Sequence, residues 1–361
     1  MARYLKPIGG EFWFQNELFD EKINNFKSTE GIFLDGGQSS LHYIYKVLNL
    51  NSDEYILMPS YICPSLLIGL KSLNINYVFY DIDKELNINI NSIEKLIKSK
   101  KIRAIFFVNY FGFYHNKETL NYLSDLKKKG IILIEDATQM LWFNKTESFI
   151  GDFIFNSYRK FLPTDGSILI GEENYEDVFD EESNYSKIVN KARILKTFFV
   201  NQGCGRDEEF LKLYSNAEEE YYKNIVPRKM ILKNKKLLNN CDLNYIKNIR
   251  INNFKFLEEE LRDFKYIEPI FKSTDIKEAP LGFIVFAKNR DGLRSFLRSN
   301  RIFAPVHWKL NNEEWAKDYK EALFVSNNIL TLPIDQRYDY EDMFRIVLSI
   351  NQFYSEKVGV L

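Results

Sequence analysis

Phe153-Ile154-Phe155-Asn156-Ser157-Tyr158-Arg159-Lys160-Phe161-Leu162-Pro163-Thr164-Asp165-Gly166-Ser167 reads as a short apolar strand, a polar turn holding one lysine, and a glycine after which a second apolar run begins. A lysine in such a turn is partly enclosed by apolar neighbours. Burial disfavours the ammonium and lowers its pKa. A lysine that attacks an aldehyde must do so as the free amine. The ordinary reading of a lysine beside a loop is a solvated surface group, so the residues upstream decide between the two.

Working outward, Ile131-Ile132-Leu133-Ile134-Glu135-Asp136 is a near-continuous apolar strand ending in two acids. Tyr55-Ile56-Leu57-Met58, Asn76 to Asp81 and Ile102 to Asn109 are further short apolar runs. Helical stretches lie between them, among them Ile93 to Lys100 and Leu120 to Lys129, the latter stopped by Gly130. Apolar runs that alternate with helices and lack polar alternation predict a mainly parallel sheet buried on both faces, an α/β fold with flanking helices. Ligands of such sheets sit at the carboxyl ends of the strands. Asn109, Asp136, the loop after Met58 and the start of the lysine turn all fall there.

Further upstream, Gly31-Ile32-Phe33-Leu34 meets Asp35-Gly36-Gly37, and Gln38-Ser39-Ser40 opens a segment with apolar Leu41, Ile44, Tyr45, Val47 and Leu48 at helical spacing. A glycine turn leading into a helix N-terminus favours an anion, because free backbone N–H groups and the helix dipole converge there. Gln38 and Ser39 add side-chain donors. The plainer reading is a serine N-cap. His42, one turn in, reads as a packing residue.

The turn at Gly36–Ser40, Asp136, Gln139 and Ser157-x-x-Lys160 share an order that suits pyridoxal 5'-phosphate. That cofactor needs an amine for its aldehyde, an anion site for its phosphate and a carboxylate against its ring nitrogen. Lys160 would supply the amine and later move a proton on the substrate carbon. Asp136 would keep the ring nitrogen protonated. Gln38, Ser39 and Ser157 would hold the phosphate. Taken singly, Asp136 reads equally well as a helix cap, Gln139 as an exposed helix residue and Ser157 as a turn former.

Composition limits the alternatives. With 45% hydrophobic and 27% charged residues the chain reads as globular, and a net charge of −1 offers no field for nucleic acid or an anionic membrane. Cys63, Cys204 and Cys241 are far apart without a CxxC pair, which fits a reducing cytoplasm better than a disulfide framework or a zinc site. No signal-peptide run or membrane-length apolar stretch is present. The region from Tyr175 to Lys223 has a helical rhythm broken at Asn201–Arg206, which reads as a surface loop. Beyond Cys241, a helix over Tyr245–Phe264 and short strands such as Leu281–Phe286 predict a smaller α+β domain. The expected division is a cofactor-binding large domain with an N-terminal arm at 1–235 and a small domain at 236–361.

Several motifs together carry a resemblance. Gly37-Gln38-Ser39-Ser40-Leu41-His42, Pro59-Ser60-Tyr61, Asn109-Tyr110-Phe111-Gly112, Glu135-Asp136-Ala137-Thr138-Gln139 and Gly151-Asp152 resemble segments of the DegT/StrS-type sugar aminotransferases, fold-type I pyridoxal-phosphate enzymes. His307 and Leu332-Pro333 resemble C-terminal landmarks of that family. The likeness implies an aspartate aminotransferase-like large domain and a homodimer. It also implies amino transfer from an amino acid, expected to be glutamate, to a nucleotide-linked keto sugar for surface polysaccharide synthesis.

The chain departs from the family pattern at four places. Ser157 stands three residues before Lys160, where the family has five. The glycine pair after the lysine is reduced to Asp165-Gly166-Ser167. Cys63 falls near where an aromatic often stacks on the cofactor, which leaves that part to Tyr61 or another aromatic. The asparagine-arginine segment that reaches a partner's phosphate has only Arg228 as a substitute. The alternatives are another pyridoxal-phosphate reaction, or a cofactor-binding regulator without turnover. Dehydratases similar to the family replace the lysine with histidine, and Lys160 argues against them.

Overall fold

The computed structural model describes residues 6–171, 178–223 and 225–358. The chain begins with the short strand β1 (Ile8–Gly9), followed by β2 (Ile32–Leu34), helix α1 (Gly37–Leu48), β3 (Glu54–Pro59) and α2 (Leu66–Ser72). It continues through β4 (Asn76–Tyr80), α3 (Ile90–Ser99), β5 (Lys101–Val108), α4 (Lys117–Lys128), β6 (Ile132–Asp136), β7 (Phe153–Phe155) and β8 (Ser167–Ile170). Four helices follow: α5 (Asn184–Gln202), α6 (Asp207–Tyr221), α7 (Leu232–Asn239) and α8 (Leu243–Glu260). The last part holds β9 (Ile267–Pro269), β10 (Phe283–Ala287), α9 (Arg290–Ser299), β11 (Ile302–Phe303), α10 (Lys320–Asn328), β12 (Ile329–Leu332) and α11 (Tyr340–Val358).

The central sheet has the order β2-β8-β7-β6-β5-β3-β4. From β4 to β7 neighbouring strands are parallel, and β8 and β2 add antiparallel edges. The apolar runs explain this. Ala104, Ile105, Phe106 and Phe107 of β5 and Leu133 and Ile134 of β6 are fully buried, as a strand covered on both faces requires. Each large apolar side chain buried this way contributes roughly 1.5–3 kcal/mol. Register aligns Val108 with Asp136 and Asp136 with Phe155, so these strands end along one edge.

Helix starts follow their caps. The periodicity predicts α4 from Leu120, whereas it begins three residues earlier because Asn116 Oδ1 accepts the Thr119 N–H at 2.9 Å. Gly130 terminates the segment at φ +88. The exposed break between α5 and α6 is Gly203–Arg206, shorter than the expected Asn201–Arg206 because α5 runs on through Gln202. Among the described residues no helix is long and apolar enough to cross a membrane.

A second, three-stranded sheet of order β12-β10-β9 lies in the C-terminal part. The N-terminal arm, which the sequence groups with the large domain, pairs there instead. Its β1 runs parallel to β11, with Ile8 opposite Ile302 and Gly9 opposite Phe303. Gly9 permits this because a Cβ in its place would lie 2.4 Å from the Phe303 carbonyl oxygen. Arg337 reinforces the contact by donating to the carbonyls of Glu11 (2.9 Å) and Gly10 (3.1 Å). The arm thereby covers a groove beside Lys160.

Candidate active site

The lysine turn connects the antiparallel strands β7 and β8. Tyr158 N–H donates to Gly166 O at 3.0 Å and Leu162 N–H to Tyr158 O at 2.9 Å, which closes it. Asn156 fixes its base, accepting from Ile168 N–H at 2.8 Å and donating to Trp142 O at 3.0 Å. Gly166 has φ +153, and a Cβ there would meet Met230 Cε at 2.6 Å. From the C-terminal part, Gln336 donates to Phe161 O at 2.6 Å, and Arg250 lies 4.7 Å from the Phe161 ring while donating to Gln336. The residue after the lysine is thus clamped from the opposite side.

Lys160 Nζ donates to Thr138 Oγ1 at 3.0 Å, and Thr138 N–H donates to Asp136 Oδ1 at 2.8 Å. Asp136, at the end of β6, is 2% exposed. Burial lowers the Lys160 pKa below the usual lysine range, and the charge of Arg159 adds to this against the pull of Asp136. Burial raises Asp136, opposed by the Lys160 charge and by hydrogen bonds from Thr138. In the sequence Thr138 is one of two residues between Asp136 and Gln139. Nothing there marked it as the link between acid and amine.

The N-terminus of α1 lies against the same turn. A Cβ on Gly37 would sit 3.3 Å from both Asn156 O and Thr138 Cγ2 and 3.5 Å from Ser157 Cβ. Ser40 Oγ bonds Ser167 Oγ at 2.7 Å, and Ser167 in turn donates to Asn156 O at 2.6 Å. In front of this helix end opens a cavity of about 250 Å³ whose walls include Gly36, Gln38, Ser39, Ser157 and Arg159. No acid occupies the first turn of α1.

The predicted phosphate donors are brought together, with bonds of their own. Gln38 donates to Ser65 O at 3.3 Å. Ser39 Oγ donates to Asp35 Oδ1 at 2.5 Å and accepts from Arg228 N–H at 3.2 Å. Burial pushes the Asp35 carboxyl up to about 7, despite its bond to Ser39. The Arg228 guanidinium is directed to Glu181 O at 3.3 Å.

Gln139 is not an exposed helix residue. It is 1% exposed, its Oε1 accepts the Phe111 N–H at 2.7 Å, and its Nε2 is left without a partner among the described residues. Tyr61 is fully buried between Tyr110 and Trp308, at ring distances of 6.0 and 5.5 Å, and lines neither cavity beside the lysine. Glu135 proves architectural: its carboxylate accepts from Asn109 (2.8 Å) and from the N–H groups of Ile150 (2.9 Å) and Gly151 (2.8 Å).

On the far side of Lys160 a groove of about 180 Å³ is bounded by Gly9, Gly10, Phe12, His307, Thr331 and Pro333. His307 Nδ1 bonds Thr331 Oγ1 at 2.9 Å. Burial, then the Lys160 charge, lowers its pKa to about 3, so it is neutral at ordinary pH. Lys160 thus borders this groove, while its turn neighbours Ser157 and Arg159 border the polar cavity in front of α1.

This donor set fits pyridoxal phosphate. An amine and a buried carboxylate are linked through one threonine, the unpaired Gln139 Nε2 lies three residues from Asp136, and a helix N-terminus opens onto a cavity with a serine from the lysine turn.

Residues 14–161 match the family described as the DegT/DnrJ/EryC1/StrS aminotransferase family. Among solved structures, a Streptococcus pneumoniae protein, Spr1654, assigned as a sugar aminotransferase and solved in its PMP form, is 14% identical. The match covers 99% of each chain with a TM-score of 0.69. A DegT DnrJ EryC1 StrS aminotransferase from Brucella abortus is 16% identical over 91% of this chain and 87% of that one, with a TM-score of 0.62. The sugar aminotransferase CalS13 from Micromonospora echinospora is 12% identical over 89% and 86%, with a TM-score of 0.60. At these identities the structures speak for the fold. A comparison with curated proteins found no match.

Proposed function

We propose that the chain, whose residues 14–161 match the DegT/DnrJ/EryC1/StrS aminotransferase family, acts as a pyridoxal-phosphate-dependent aminotransferase of that kind, moving an amino group from glutamate to a keto sugar carried on a nucleotide. The product would serve surface polysaccharide synthesis in the cytoplasm, by a homodimer whose large and small domains divide near residue 235. The observation that carries this reading is the linked trio of Lys160, Thr138 and Asp136, with Lys160 on the groove and Ser157 and Arg159 of the same turn on the cavity in front of α1.

When bound, the cofactor supplies an electron sink and carries the amino group between the two substrates. Lys160, lowered in pKa, is the residue that would hold the cofactor's aldehyde end through its free amine, and its amine would move a proton at the substrate carbon. Thr138 holds that amine on the side of Asp136. Asp136 keeps a proton on the ring nitrogen, and the ring's positive charge relieves the cost of burying the carboxylate. Gln38, Ser39 and Ser157 with the free N–H groups of α1 hold the phosphate. Gln139, whose Nε2 has no partner among the described residues, would donate to the ring's polar edge. Tyr61 packs between Tyr110 and Trp308 and lines neither cavity, so it would act through those rings. Neutral His307 lines the groove without adding a charge that would repel the amine.

The two sides of Lys160 favour an enzyme over a regulator, because the lysine opens onto a groove that the phosphate cavity does not need. Screening nucleotide-linked keto sugars for glutamate-dependent amination tests the acceptor. Amination of at least one such sugar is expected. Amination only of free keto acids would remove the sugar from the proposal.

A further inference from the structure

Arg159 precedes the lysine, yet the two side chains part company. They are successive residues of a short 3-10 turn (Tyr158–Lys160), in which neighbours diverge by about 120°. Lys160 reaches Thr138, whereas Arg159 lines the cavity in front of α1 with Gly36, Gln38, Ser39 and Ser157. Two tyrosines fix the guanidinium. Its Nη1 donates to Tyr185 OH at 3.1 Å, and its carbon lies 4.4 Å from the centre of the Tyr221 ring.

Neither tyrosine neutralises its charge. Among the described residues no carboxylate lies within ion-pair reach of Arg159. Asp165, which shares Tyr185 with it, is already taken: Arg193 grips both its oxygens at 2.6 and 3.2 Å, and Tyr185 OH donates to it at 3.2 Å. The held, half-buried guanidinium faces a helix N-terminus and a serine across one cavity with no carboxylate in ion-pair contact; Asp35 and Asp165, which line the same cavity, act on it only from longer range. A guanidinium meets a phosphate with two parallel N–H bonds, a geometry a lysine cannot reproduce.

We propose that Arg159 is the cation that binds the phosphate of the cofactor, supplied from within the chain by the residue next to the lysine. This rests on the aminotransferase reading above and deepens it. The side chain takes the place for which Arg228 was the sequence's only candidate, since Arg228 turns to Glu181 O. The short Ser157-x-x-Lys160 spacing then has a use: it brings serine, arginine and lysine onto one turn, so one segment contacts both ends of the cofactor.

A nucleotide substrate also carries phosphate, so the test separates the two sources. Apoprotein of wild type, Arg159→Gln and Arg159→Lys is titrated with pyridoxal phosphate, with pyridoxal, which lacks the phosphate, and with uridine diphosphate. Visible absorbance of the lysine-bound ring reports the first two, calorimetry the third, and circular dichroism the fold. Arg159→Gln is expected to lose roughly 10- to 100-fold in affinity for pyridoxal phosphate, the size of a charge-assisted contact, while its affinity for pyridoxal changes by less than about threefold. Arg159→Lys should recover part of the loss. Equal losses for both compounds would make Arg159 a structural residue and overturn the proposal, as would unchanged pyridoxal-phosphate affinity or a loss confined to uridine diphosphate. If Arg159→Gln does not fold, the pyridoxal-phosphate to pyridoxal affinity ratio of Arg159→Lys decides: a reduced ratio supports the proposal and an unchanged one overturns it. Wild-type protein that binds neither form of the ring would instead strike the cofactor reading itself.

Discussion

Lys160 Nζ donates to Thr138 Oγ1 at 3.0 Å, and the same threonine donates its backbone N–H to Asp136 Oδ1. One small residue thereby sets the position of both the amine and the carboxylate. Thr138→Val keeps the shape and removes the oxygen. It should slow capture of pyridoxal phosphate and of pyridoxal alike, by roughly 3- to 10-fold, the value of one neutral hydrogen bond. Stopped-flow absorbance measures this, and a rate equal to wild type would deny Thr138 its positioning role.

Asp136→Asn should leave the cofactor bound and turnover crippled. The amide fits the same space but cannot hold a proton on the ring nitrogen, and turnover should fall roughly a hundredfold or more. Turnover close to wild type in the loaded variant would remove Asp136 from the chemistry.

Asp35 makes stability depend on pH. Burial raises its carboxyl from 3.8 to about 7. Between those values the unfolded chain has lost the proton that the folded chain keeps. Folding is therefore favoured below 3.8, and this advantage falls away as pH rises through about 7. Asp35→Asn does not titrate, so its stability relative to wild type should climb across that window and level off above it, by a few kcal/mol at most. Urea unfolding at a series of pH values reads the difference. A constant offset between the two proteins would contradict the assignment.

The sheet, the strand ends and the lysine turn were legible because apolar runs without polar alternation have few other uses. Asp136, Lys160 and the α1 turn could be placed at one edge by strand order alone. Gln139 was grouped with them by order, but its burial was not legible, since it depends on Phe111 offering a backbone N–H from a loop far away in sequence. Tyr61 looked available for stacking because a strand-end loop is usually open. Here Tyr110 and Trp308 close over it. Arg159 carried no periodic or spacing signal, and its meaning depends on Asp165 being claimed by Arg193 from α5. The partner of the N-terminal arm was not legible, because strand pairing of two residues leaves no pattern in sequence.

Glu135 separates architecture from chemistry within the acidic pair. Its carboxylate satisfies two backbone N–H groups and Asn109 with no exposure to solvent. Glu135→Ala would leave those donors unpaired and open a cavity, at a cost of roughly 3 kcal/mol or more. Glu135→Gln should cost less, since one oxygen remains. Chemical denaturation checks both. A stable alanine variant that loses cofactor binding would place Glu135 in the site instead.

The most direct test of amino transfer needs no knowledge of the sugar. Wild-type protein loaded with pyridoxal phosphate and mixed with glutamate alone should convert its cofactor to the amine form and release one 2-oxoglutarate per site, while Lys160→Ala should do neither. Loaded wild-type protein that leaves both glutamate and cofactor unchanged, and does so with other amino acids as donors, would contradict the account and leave a cofactor-binding protein without turnover.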